Sequence, residues 1–403
     1  MPTTPAVVLS GHIMALGVVR SLGAAGIPSI VVRYRHDDLA HASRHVIRDI
    51  RVPHPEQDPA GFVRALMRLG PDLEGSPLIP ASDETVVVTS RHKDELGRWF
   101  KVACPDGPIA ERIIHKEHTY ALADEIGVAA PRTQLVGSEQ DLERHRDRFT
   151  FPCLAKPSQS HLYQDHFGRK MVRVENMDEL REACREAAEM GFEMLLQELI
   201  PGDDRQGVNY NSLRLPGAEP VEFTAAKIRL APRAFGPPAV VVSRDLPEIV
   251  EPARRLLAAL GYEGYSCVEF KRDTRDGVYK LMEVNGRFNL SSLLMLRAGI
   301  NFPSLVYRHL TTGELPSPAR QTNDIHWISG TKDIAYGIPE LVRRPWSLRA
   351  FMEPYARRHV FAVFDRTDPR PSVVRYGHLV RRGVALVGER LAGLVGRRRE
   401  PAP

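Results

Sequence analysis

Cysteine is scarce in this sequence. Its 403 residues include four, Cys104, Cys153, Cys184 and Cys267, far apart, with no C-x-x-C pair and no histidine nearby at ligand spacing. That argues against a zinc site or a disulfide framework and fits a reducing compartment. No apolar run approaches the roughly 18 to 20 residues that span a bilayer. The opening M-P-T-T-P-A-V-V-L lacks a basic n-region, so the protein is expected to be cytoplasmic. Net charge is small too, +5 over the whole chain. It permits anionic ligands such as nucleotides without the concentrated basic footprint of a nucleic-acid protein, so no nucleic-acid partner is expected. The dinucleotide fingerprint is missing: S-G-H-I-M-A-L-G is not G-x-G-x-x-G, and the second strand ends in Val32-Arg33 rather than in an acid. That argues against a nicotinamide enzyme. Internal repeats and low-complexity tracts are absent.

What is present is the composition of a globular protein, 43% hydrophobic and 26% charged, long enough for roughly two to four packed units. The segment A-V-V-L at 6–9, an amphipathic stretch through Leu22 and the run I-P-S-I-V-V read as strand, helix, strand. This order predicts a parallel open sheet with any ligand near the carboxyl ends of its strands. Leu78-Ile79-Pro80 leads into Ala81-Ser82-Asp83-Glu84, which puts polar groups at that edge; Ser82 and Asp83 equally suit a helix cap. Lys101 to Pro105 closes the unit. Further on, the pattern predicts a helix over 116–127, strands at 151–157 and 171–174, a helix over 177–190, a strand from Met194 to Ile200, sheet strands over 208–244 and a helix over 246–260.

The stretch from Tyr265 to Phe288 predicts a hairpin, with 267–271 antiparallel to 279–285 around D-T-R-D-G. In that register Glu269 falls near Glu283, and Glu283 shares a face with Asn285. Two neighbouring carboxylates repel, so a divalent cation is one explanation of the trio and a half-exposed hairpin of alternating charge is the other. Lys156 follows an apolar run in C-L-A-K-P, where a desolvated ammonium calls for an anionic partner such as a phosphate. The run Q-E-L-I-P-G-D-D offers backbone groups for an adenine edge and acids for a ribose. Lys227 and Arg229 in T-A-A-K-I-R add positive charge.

Strand lysine, acidic strand exit, basic strand and an E-(x)13-E-x-N hairpin, in that order, resemble the ATP-grasp superfamily over roughly residues 1–315. The similarity is to the carboxylate-amine ligases, in particular the D-aspartate ligase-like group, and is carried by R-S-L-G-A-A-G-I-P, P-A-S-D-E, H-K-E-H-T-Y-A-L-A-D-E-I-G-V-A-A-P-R-T and M-E-V-N-G-R-F-N. The resemblance implies an α/β (α+β) fold: an N-terminal open parallel-sheet domain over 1–112, a small lid subdomain over 113–198, a second ATP-grasp subdomain with the hairpin over 199–316, and a C-terminal extension over 317–403. It further implies that Lys116, Lys156 and Lys227 contact ATP phosphates, that Gln197, Glu198 and Leu199 line the adenine edge and that Asp204 holds the ribose. Glu269, Glu283 and Asn285 would bind Mg²⁺, with Mn²⁺ as a substitute. Arg287 and Lys227 would serve catalysis, and Ser82, Asp83 and Asn289 are substrate candidates.

The implied activity joins a carboxylate, activated as an acyl phosphate, to an amine, with ADP and phosphate as products. The alternatives are an ATP-grasp enzyme with a non-amine acceptor and a non-catalytic ATP-binding protein. The phosphate-covering loop departs from the glycine-rich pattern of the superfamily: it reads S-Q-S-H-L-Y-Q-D-H-F-G-R-K, offering Ser158, Ser160, His161 and Lys170. Finally, Val380, Val384, Val387, Leu391 and Leu394 recur at helical spacing among Arg381, Arg382, Arg390 and Arg397 to Arg399. This basic tail suits packing on the protein's own body, or else a peripheral membrane contact or an acidic partner. A homodimer is the default oligomer.

Overall fold

The computed structural model describes residues 4–144, 150–157, 171–191, 193–233, 236–343 and 347–381. The loop candidates Ser158, Ser160, His161 and Lys170, and most of the basic tail, lie outside that set.

Strands β1 (Ala6–Leu9), β2 (Ser29–Arg33), β3 (Val46–Arg51), β4 (Pro77–Pro80) and β5 (Lys101–Val102) form an all-parallel sheet in the order β3-β2-β1-β4-β5. Its central strands are continuous apolar runs because both faces are covered. Val7, Leu9, Ile30 and Val32 pack with Phe62 and Leu66 of the helix Pro59–Leu69. Ala6, Val8 and Val31 pack with Leu16, Val19 and Leu22 of the helix Ile13–Ala24. The strand order reverses between β1 and β4, so the crevice at their carboxyl ends is where such sheets take ligands.

A four-stranded antiparallel sheet follows, β6 (Thr133–Val136), β7 (Cys153–Pro157), β8 (Val172–Val174) and β9 (Met194–Glu198), in the order β6-β9-β7-β8. The helix Met177–Glu189 covers one face through Leu180, Ala183 and Ala187, and the Asn176 side chain caps it by accepting the Glu179 N–H.

The third sheet has seven strands, β14-β13-β10-β11-β12-β15-β16. They are β10 (Gly207–Arg214), β11 (Val221–Leu230), β12 (Pro238–Ser243), β13 (Gly264–Arg272), β14 (Tyr279–Asn285), β15 (His326–Ile328) and β16 (His359–Phe361). Val208, Tyr210, Val242, Val268 and Phe270 pack one face on Ile249, Leu256 and Leu257 of the helix Pro247–Ala259. The opposite face is apolar at one end, where Leu213, Phe223 and Tyr265 meet Leu294 and Phe302, and polar at the other. β15 and β16 come from beyond Pro316. That segment is tied back to the first sheet by Asp368, which accepts from Arg20 Nε (2.9 Å), Ser43 Oγ (2.7 Å) and the Arg44 N–H (2.9 Å).

Candidate active site

The hairpin holds the predicted register. Glu269 of β13 lies directly opposite Glu283 of β14, and Cys267 opposite Asn285. Gly277, at φ +77°, makes the turn between the two strands. The two carboxylates are not left to repel. Lys227, from β11, forms an ion pair with Glu269, and Lys116 Nζ stands 3.3 Å from Glu283 Oε1. Burial alone would lower the Lys227 pKa, but the Glu269 carboxylate outweighs it and raises it; burial would raise Glu269, and Lys227 holds it below its usual range. The Glu283 charge is the main reason the Lys116 pKa is raised.

Each lysine has a local reason for its position. A Cβ on Gly207 would come within 2.9 Å of Lys227 Cδ, so the glycine leaves room for the lysine stem to cross β10. Lys116 opens the helix Lys116–Glu125, and that helix is fastened to β14 where the Tyr120 hydroxyl donates to the Met282 carbonyl at 2.6 Å. Lys156 projects from β7 and donates to Gln197 Oε1 at 2.6 Å, while Gln197 Nε2 donates to Thr133 Oγ1 at 3.2 Å. Burial, then the nearby Lys116 ammonium, lowers the Lys156 pKa to about 7.

The donor set fits a hard divalent cation. Among the described residues no group of three or more His, Cys, Asp or Glu is gathered as a self-sufficient metal cage. Two carboxylates and the Asn285 amide instead leave coordination positions to water and phosphate oxygens, as magnesium in nucleotide sites requires.

Arg287, just past β14, reaches across to the first sheet and grips Asp83 with two hydrogen bonds of 2.7 and 2.8 Å. Asp83 is thereby joined to the end of the hairpin. Ser82 is a helix cap: its Oγ accepts from the Thr85 N–H while Thr85 Oγ1 accepts from the Ser82 N–H. Its hydroxyl also shares a hydrogen bond of 2.8 Å with Tyr34. Asn289 is buried, donating to Asn211 Oδ1 at 2.8 Å and accepting from Ser291 at 3.1 Å, in a network with the Tyr265 hydroxyl.

At the end of β9, the Glu198 N–H donates to the Arg132 carbonyl (2.8 Å), and its carboxylate accepts the Arg132 N–H (3.1 Å) and pairs with Arg275. Leu199 follows at the strand's end. Asp204 is buried, and one of its oxygens accepts the Leu230 N–H at 3.1 Å. The expectation that Arg229 adds charge beside Lys227 does not hold. A bulge between residues 227 and 229 breaks the alternation, and Arg229 is spent on Asp333, with two bonds of 2.8 Å, and on the Phe351 ring at 4.6 Å.

Sequence reasoning missed the residues around the β1–β4 crevice. Arg35 Nη2 donates to Glu84 Oε1 at 2.7 Å and the Tyr34 hydroxyl to the same oxygen at 3.1 Å. Burial, reinforced by the Arg35 charge, lowers His12 to about 4, so its imidazole is neutral at physiological pH. Ser10, just past β1, stands at φ +102°, a conformation that costs a non-glycine residue energy and tends to mark functional sites. Tyr34-Arg35 directly after β2 was the available signal, since ligand groups sit where parallel strands end.

No family model matches the sequence. The chain is 27% identical over 323 residues to D-aspartate ligase of Enterococcus faecium (strain Aus0004), a match covering 74% of this chain and 75% of that protein. The crystal structure of an L-amino acid ligase from Bacillus licheniformis shares its fold with a TM-score of 0.61 at 17% identity, over 77% of this chain and 74% of that one. A carboxyaminoimidazole ribonucleotide synthase from Aspergillus clavatus, complexed with ATP, does so with a TM-score of 0.59 at 16% identity, over 79% of each chain. The structural likenesses speak to the fold.

Proposed function

We propose that this chain is an ATP-grasp ligase of the carboxylate-amine kind, coupling a carboxylate to an amine at the expense of ATP and releasing ADP and phosphate; the likeness to D-aspartate ligase supports this reading. The observation that carries this reading is the pair of lysine–carboxylate contacts, Lys227 with Glu269 and Lys116 with Glu283, set side by side and facing Lys156. Three lysines and Arg287 stand against Glu269, Glu283 and Asp83, a cluster whose cations a triphosphate can engage.

In this reading Lys116, Lys156 and Lys227 hold the phosphates. Gln197, Glu198 and Leu199 border the adenine, largely through main-chain groups, and Asp204 takes the ribose. Glu269, Glu283 and Asn285 hold magnesium, which when bound neutralises charge on the phosphate oxygens; manganese suits the same oxygen donors. The substrate carboxylate attacks the γ-phosphorus, breaking its bond to the β–γ bridging oxygen and leaving ADP. The amine then adds to the acyl carbonyl, phosphate leaves and the amine proton passes to solvent. Arg287 stabilises the oxyanion of that second step, where a preorganised cation is most effective. No enzyme nucleophile is needed. Of the substrate candidates, Asp83 acts through Arg287, which it holds until the substrate carboxylate takes its place, whereas the polar atoms of Ser82 and Asn289 serve the protein itself. The setting we infer is the cytoplasm, with a homodimer as the working oligomer; among the described residues no helix is long and apolar enough to cross a membrane.

The test is product analysis across paired acids and amines with ATP and magnesium. ADP and phosphate should appear in full only when both partners are present, and Glu283→Ala should lower turnover by roughly 10²-fold or more with an unchanged circular dichroism spectrum. AMP and pyrophosphate as products would overturn the assignment.

A further inference from the structure

The positive charge of this protein is concentrated at one end. Residues 330–403 carry 15 Lys and Arg against 7 Asp and Glu, a net of +8, so the first 329 residues sum to −3 within a chain of +5. Apolar exposure is concentrated in the same place. Of the sixteen large apolar side chains exposed among the described residues, eleven fall between 334 and 380.

They are arranged in stripes. On the helix Gly330–Arg343, Ile334, Ile338 and Val342 recur every four residues on one outward face, Val342 at 75% exposure. Met352 is exposed on the next helix, Leu348–Ala356, whose Phe351 packs against Gly337 of the first. Val373 and Val380 lie two turns apart on the helical stretch 370–381, at 70% and 65% exposure. Exposed arginines flank these stripes, among them Arg343, Arg349, Arg370 and Arg381. The inward sides of the same elements are well partnered, through Asp333 on Arg229 and Asp368 on Arg20, so the outward side is available without disturbing the core.

We infer that this C-terminal face seats the enzyme on a membrane surface bearing anionic headgroups, with the apolar stripes entering the headgroup boundary and the arginines meeting lipid phosphates. Apolar area together with a predominantly cationic rim, in which the exposed Glu353 is paired with Arg357, is what an interfacial site requires, since each contribution alone gives weak, reversible binding. A protein partner or a second copy would have to supply acidic groups to match these arginines. The rest of this chain, at −3, offers only a small opposite charge, which weighs against a second copy.

The test is flotation of the full-length protein with vesicles of equal parts phosphatidylglycerol and phosphatidylcholine, against phosphatidylcholine alone. Wild type should float with the anionic vesicles, less so as salt is raised, and remain behind with the neutral ones. Ile338→Asp, Val342→Asp and Val380→Asp combined should cut partitioning by about tenfold or more with ATP turnover unchanged. Arg349→Glu with Arg370→Glu should weaken it and flatten the salt dependence. Equal behaviour on the two vesicle types overturns the inference, as does a triple variant that floats like wild type. A wild-type dimer in sedimentation velocity that the triple variant disperses, without vesicle binding, would assign the face to a second copy instead.

Discussion

Lys156 is the side chain whose charge the fold leaves most open. An unfolded lysine keeps its proton to about pH 10.4, whereas folded Lys156 gives it up at about 7. Below that value its charge works against the folded state, and the penalty is relieved as pH rises through the window between the two values. A triphosphate supplies the missing counter-charge. At about pH 8, nucleotide binding should therefore draw in a proton, seen by titration calorimetry as a heat that varies with the ionisation enthalpy of the buffer. Lys156→Arg cannot deprotonate and should abolish that variation; if the variation persists, another group titrates. Asp83 is the second case. Arg287 now spends both arms on it, so Asp83→Asn should free the guanidinium and lower the KM for the carboxylate by about threefold or more, with kcat little changed. A raised KM in steady-state kinetics would mean that Asp83 binds substrate directly. The site was partly legible at this scale. Glu269 and Glu283 meet because two-residue alternation dictates it, whereas the Asp83–Arg287 contact joins residues 204 apart and left no local trace.

Elements were legible where periodicity was strong. The hairpin, the parallel start and the helix Pro247–Ala259 follow from apolar spacing, and the helix Met177–Glu189 from its wealth of Glu, Ala, Arg and Leu. β3 did not announce itself: V-I-R-D-I-R is largely exposed and charged, an edge strand that its neighbour recruits. The bulge in β11 was also invisible, and with it the diversion of Arg229 away from the nucleotide. Two substitutions test how these strands aim the site. Gly207→Ala places a methyl 2.9 Å from Lys227 Cδ. Turnover should fall by roughly tenfold while the thermal midpoint barely moves; unchanged turnover would show that Lys227 finds another path. Asp333→Ala should destabilise the fold by about 3 kcal/mol, because it leaves the largely buried Arg229 unpaired. Denaturant unfolding measures it, and a loss under about 1 kcal/mol would mean that water reaches the guanidinium.

At the scale of the molecule, the closing segment was the least legible part, since β15 and β16 are three residues each and find their places only against β12. Asp368 binds Arg20 across 348 residues, and Asp368→Ala should cost a further 3 kcal/mol or so, read from the same unfolding curves. This arrangement has a consequence during synthesis. The hairpin carrying Glu269 and Glu283 leaves the ribosome about 80 residues before Asp368, a delay on the order of ten seconds at ordinary elongation rates. For about the first half of that interval, until β15 and Asp333 have been made, the outer edge of β12 is uncovered and Arg229 lacks its carboxylate partner. The nascent chain thus holds the hairpin carboxylates in a sheet that cannot yet close, and a stalled or truncated product should be a substrate for chaperones and proteases.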